Sequence, residues 1–160
     1  MDSQYSEYIS FLTKYRDELS SYLESEGEKR RSLLSGDLER LEKMLNVQQA
    51  QAMKFRTMET KRAALQSKLG LTGGKAAELL EKIGDTDDKK SIQALFSEMN
   101  DIAVSIREQN RQSLGLAESK LKIYDSINLG GDTDSPNKLY GPENNRRTAF
   151  SAGDAFEETI

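Results

Sequence analysis

No proline occurs in this chain before Pro136. Proline removes a backbone donor and clashes with the preceding turn, so its absence permits uninterrupted helices along most of the sequence. Apolar residues fill that stretch in steps of three and four, the spacing of one helix face. The longest run, Asp88 to Asn128, carries Ile92, Leu95, Met99, Ile102 and Ile106, then Ser113, Ala117, Leu121 and Tyr124. About forty residues at 1.5 Å rise make a rod of about 60 Å. This rod is the element around which the other helices are expected to organise. Its last turns are expected to project beyond shorter neighbours.

Two further long helices are predicted, over 3–34 and 38–69. In the first, Tyr8, Leu12, Tyr15, Leu19, Tyr22, Glu26, Lys29 and Leu33 form a heptad seam that turns charged at Glu26 and Lys29. Its tyrosines are expected at the core edge, ring buried and hydroxyl in water. Gly27 either admits a neighbouring helix closely or is tolerated at a small cost in helix propensity. Ser35, Gly36 and Asp37 read as a stop and a restart, Gly36 ending one helix and Asp37 capping the next. So short a connection makes the two helices antiparallel.

The second seam runs Leu38, Leu41, Leu45, Gln48, Ala52, Phe55, Glu59, Arg62, Gln66, Leu69, with Glu59 and Arg62 expected as a solvated ion pair. A short helix over 75–83 bridges to the last one, which spans 88–128 behind a Thr86 cap. The predicted fold is all-α: an antiparallel bundle of three long helices with a short connecting helix. Residues 1–128 form the bundle. Residues 129–160 are expected to form a disordered tail, since they hold both prolines, four of the eleven glycines and no apolar periodicity.

The residue inventory narrows the chemistry. With neither cysteine nor histidine, the chain lacks a thiolate nucleophile and the commonest general base and transition-metal ligand. No cofactor and no metal site are expected, and no enzymatic activity. Gly70 to Lys75 departs from phosphate-loop spacing, and no strand precedes it. Basic clusters at 29–31, 61–62 and 146–147 are interleaved with acids and read as solvated surface. With a net charge of −4, this argues against nucleic acid as partner. No signal-like start and no run of 18 apolar residues is present, so no integral membrane segment is expected.

Several stretches together resemble the FlgN family of flagellar export chaperones. LeuLeuSerGlyAspLeuGluArgLeu at 33–41 is similar to the family's "LlsgDleaL" hinge, and 58–71 to its "le.kR..ll..lGl" ending of the second helix. Residues 106–115 resemble its "L...N..N..ll" signature. There Asn110 matches the first asparagine and Ser113 replaces the second. Tyr140 to Glu143 is similar to family endings, and Gln48 stands where lysine is common. The resemblance implies a cytoplasmic, non-catalytic chaperone. Its implied partners are the C-terminal helical regions of hook-associated (hook–filament junction) proteins and the flagellar type III export machinery.

The expected partner strip is the last third of the final helix: Leu114, Ala117, Leu121, Tyr124 and Ile127, flanked by Leu116 and Ile123, with Gly115 as a point of bending. Asn110 joins it through the matched signature, and Tyr140 and Phe150 as tail anchors. Two alternatives stay open: the strip folds back on the first helix, or it pairs with a second copy in a structural coiled-coil homodimer.

Overall fold

A computed structural model describes residues 3–71, 76–84 and 86–127. Four helices account for nearly all of them: α1 (Ser6–Ser35), α2 (Leu38–Lys68), α3 (Ala76–Ile83) and α4 (Asp87–Ile127). Among the described residues there is no strand. The bounds follow the expected ones closely, and α1 starts later because a turn precedes it, where the Tyr5 amide donates to Ser3 Oγ at 3.0 Å. Lys75, Asn128 and the whole predicted tail over 129–160, with Tyr140, Phe150 and Arg146 to Arg147, lie outside the described residues.

The breaks between helices have local causes. Gly36 takes the left-handed conformation (φ 72°), and the Asp37 amide donates to the Ser32 carbonyl, closing α1. The Asp37 carboxylate then accepts from the Arg40 amide at 3.1 Å and starts α2. Gly70 (φ 73°) ends α2 in the same way, and the Leu71 amide returns to the Gln66 carbonyl, which tucks Leu71 into the core. Thr86 Oγ1 accepts from the Lys89 amide at 3.4 Å at the start of α4.

Cross-helix bonds fix the relative directions. Tyr8 pairs with Gln66, Tyr15 with Glu59, Glu26 with Gln48 and Glu28 with Arg40, so α2 runs back along α1. Arg16 pairs with Glu98 and Lys29 with Asn110, so α4 runs parallel to α1. Both α2 and α4 pack on α1 while barely approaching each other by backbone. The hub is therefore α1. This corrects the expectation that α4 would be the organising rod: α1 carries the aromatic seam that reaches both neighbours.

That seam is also more deeply placed than expected. Tyr8, Tyr15 and Tyr22 are fully buried, with Phe55 against the rings of Tyr15 and Tyr22 at 5.8 Å. Instead of reaching water, the Tyr15 hydroxyl donates to Glu59 Oε1 at 2.6 Å, and the Tyr8 hydroxyl accepts from Gln66 Nε2 at 2.9 Å. Helices on two sides of α1 leave the stripe no wet edge. The Glu59–Arg62 pair is likewise not solvated: Arg62 is buried and links Glu59 to Gln66. Burial pushes the hydroxyl pKa values of Tyr8, Tyr15 and Tyr22 up. Nearby Glu59 adds to this for Tyr15 and Glu26 for Tyr22. Gly27 meets only the Arg31 side chain of its own helix, so it is tolerated and not a point of close helix approach.

Candidate functional site

The core changes character along α1. From Tyr8 to Tyr22 its buried residues are apolar or aromatic; from Ser25 to Ser32 they are Ser25, Glu26, Lys29 and Ser32. Lys29 was expected on the solvated surface. It is buried because it falls on the seam, between α2 and α4. Its ammonium donates to Glu26 Oε1 at 2.8 Å and to Asn110 Oδ1 at 3.2 Å. Gln48 Nε2 reaches the same Glu26 oxygen at 3.0 Å. Three helices thus contribute to one buried polar layer. Glu26 Oε2 and Ser113 Oγ are buried without a hydrogen-bond partner among the described residues.

Above this layer α4 emerges from its neighbours. Ser113 is its last buried residue. Leu114, Leu116, Ala117 and Leu121 are half-buried, and Ile123, Tyr124 and Ile127 stand 60%, 58% and 76% exposed. Lys120 marks where α1 ends: its ammonium donates to the Leu33 carbonyl and lies 3.5 Å from the Leu34 carbonyl. These are terminal carbonyls of α1, where a cation is favourably placed. Ile123, Tyr124 and Ile127 follow within the next two turns, past the end of α1. Leu34 and Leu38, at the α1–α2 turn, are exposed too (57% and 76%). The result is an apolar helix end standing beside an apolar turn.

The structure separates the expected site residues into two groups. Leu114, Ala117, Leu121, Tyr124 and Ile127 run up the last turns of α4 with Ile123 on their flank, and of these Ile123, Tyr124 and Ile127 lie past the end of α1. Asn110, half-buried, belongs instead to the edge of the polar layer, as acceptor for Lys29. Tyr140 lies outside the described residues. Gly115 does not interrupt α4, which is continuous to Ile127. Leu34 has no place in either predicted seam, and Leu38, expected as the first residue of the second seam, is exposed because it falls at the turn before α2 has come alongside α1. Their signal was present: two leucines bracketing a turn whose stop and start leave little room to bury either.

Around the strip, charge is balanced by Glu118, Lys120, Lys122 and Asp125. Below it, Arg111 and Gln112 hold the exposed Glu108 carboxyl below its ordinary value. At the turn, Arg31 and Arg40 do the same for Glu28. No group of acidic residues among the described ones is placed to hold a metal ion. No helix among them is long and apolar enough to cross a membrane. The arrangement offers an apolar face for packing.

No curated protein and no solved structure matches the chain. A family model described as "FlgN protein" matches residues 1–148, which takes in all four helices and the turn between the first two, and the chain belongs to that family of flagellar export chaperones.

Proposed function

We propose that this chain is a cytoplasmic chaperone for the C-terminal helical region of hook-associated proteins. It holds them from premature assembly and passes them to the flagellar type III secretion apparatus. Residues 1–128 serve as one antiparallel three-helix body, and the client helix lies along the projecting end of α4. The observation that carries this reading is the apolar helix end: Ile123, Tyr124 and Ile127 exposed on a helix that outruns both of its long neighbours. An apolar face of this kind marks a protein contact more often than a solvated surface, and an amphipathic client helix is its natural complement.

The test is calorimetric titration with the C-terminal helical segment of the organism's hook-associated proteins, with mass followed by light scattering. The proteins are the intact chain, a truncation after Asn128, and a Leu121→Asp, Tyr124→Asp variant. The expected result is one-to-one binding that survives truncation and is lost in the double variant. Loss on truncation would move the site into residues 129–160, where Tyr140 lies. A stable dimer that ignores every such segment would replace this reading with the homodimeric coiled coil.

A further inference from the structure

We propose that the layer formed by buried Glu26, Lys29 and Gln48 with half-buried Asn110 is a register pin. It fixes where α4 sits along α1, and so keeps the end of α4 projecting past the α1–α2 turn. The consequence for partner binding rests on the preceding reading; the register does not.

The need for a pin follows from the seam itself. The inner face of α4 carries Ile92, Leu95, Met99, Ala103 and Ile106, then Ser113, Ala117 and Tyr124, in steps close to a heptad. Such a seam nearly superposes on itself after a slide of seven residues, about 10 Å. A slide toward the start of α1 would carry Leu121 and Tyr124 down beside α1 and α2. It would also push Ile92 and Leu95, now buried, out at the other end. Tyr124 and the exposed part of Leu121 would be covered and two buried residues uncovered, so hydrophobic burial opposes the slide only in part.

The polar layer distinguishes the two registers. The Arg16–Glu98 and Lys29–Asn110 contacts share an offset of 82 and 81 residues between α1 and α4. After the slide, Lys29 would face Ala117 and lose its amide acceptor. Asn110 and Ser113 would take the places of Ala103 and Ile106, near the level of Tyr22, in the apolar part of the core. Removing a partner from a buried charge or amide leaves its full desolvation cost unopposed. Glu26 Oε2 is an unpaired acceptor within the layer, but it stays on α1 and cannot serve the Asn110 amide once that residue has moved about 10 Å along the helix. The exposed Arg16–Glu98 pair would break as well, but a solvated pair weighs little in the choice.

The chain has no cysteine, so introduced pairs report register without background. An Arg16→Cys, Glu98→Cys pair samples the observed register. An Arg16→Cys, Ser105→Cys pair samples the one seven residues away. Cross-linking rates with a short bis-maleimide are compared in the native layer and in a Glu26→Leu, Lys29→Met, Asn110→Leu background. With the native layer the first pair is expected to react about tenfold or more faster than the second, and in the apolar background the preference falls to about threefold or less. Asn110→Leu alone leaves the Glu26, Lys29 and Gln48 contacts in place. It is expected to lower the preference by about threefold, and it decides the matter if the triple background does not fold.

An unchanged preference in the folded variants, or none in the native layer, overturns the pin. The cross-linking needs no partner. A pinned register with no client binding would therefore sink the chaperone site and leave the pin standing. Free slippage with undiminished client binding would overturn the pin's role in presenting the strip.

Discussion

The two halves of α1 are built from one continuous seam and do different work. Below Tyr22 the seam is aromatic and aliphatic, sealed by Phe55 and by Ile92 to Ile106. Above it the seam is Ser25, Glu26, Lys29 and Ser32, faced by Gln48 and Asn110. The lower half gains stability from non-directional burial, which scales with the apolar area removed from water. The upper half holds together through a few directional contacts, which contribute less net stability but accept only one alignment. The lesson is a division of labour along one helix: the lower half keeps the chain folded, and the upper half fixes where the exposed end of α4 stands.

The largest expected effect that would break this comparison is alkaline. The hydroxyls of Tyr8, Tyr15 and Tyr22 are all pushed above the ordinary 10.0 by burial. Above that pH the unfolded chain releases protons that the folded one retains. Stability is therefore complete below about pH 10 and is lost as pH rises toward the folded values. Three such groups give a slope of up to about 4 kcal/mol per pH unit, enough to unfold an ordinary domain within about two to three units. Tyrosinate absorbance and circular dichroism followed together should show three of the six tyrosines ionising in step with helix loss. Ionisation of all six with the helices intact would break the claim that the lower half is the sealed one.

Phe55→Ala should come next, costing about 3–5 kcal/mol in urea denaturation because it opens a cavity between two buried tyrosine rings. Leu41→Ala, at a half-buried position facing the upper half, should cost less than about 1 kcal/mol. Equal costs would mean that the two halves are sealed alike. The layer itself gives a prediction that depends on which partner is removed. Lys29→Met alone leaves the fully buried Glu26 carboxylate uncompensated and should cost about 3–5 kcal/mol. Lys29→Met combined with Glu26→Leu removes both charges but leaves the Gln48 and Asn110 amides short of a partner, and should recover most of that cost. A double variant as unstable as the single one would show that the layer contributes net stability and not only alignment.

Much of this was legible in the sequence. The helix bounds, the Gly36–Asp37 turn and the overhang of α4 follow from periodicity, punctuation and relative length, all local properties. The depth of the tyrosines was not, because whether a stripe has one neighbour or two is settled by tertiary packing on both sides of α1. The polar layer lay between these cases. Glu26 and Lys29, Gln48, and Asn110 with Ser113 each stand on the apolar seam of their own helix. Read one helix at a time, each dilutes a seam. Only the parallel offset of α4 on α1 brings them to one level, and no single-helix pattern carries that offset.

The smallest stability effect sharpens the comparison most. Tyr22 and Tyr124 occupy the inward seam of α1 and α4, and differ only in whether a neighbour is present at that level: 1% exposed against 58%. Tyr22→Asp would place a second carboxylate beside Glu26 in a sealed core, and should cost more than about 4 kcal/mol. Tyr124→Asp should change stability by no more than about 0.5 kcal/mol in the same urea experiment, because the side chain is already in water. If it instead cost about 2 kcal/mol or more, the end of α4 would be held against its own chain in solution. The strip would then be core, and the site would have to be sought elsewhere. A stability left untouched, alongside lost client binding, fits only a surface whose partner comes from outside the chain.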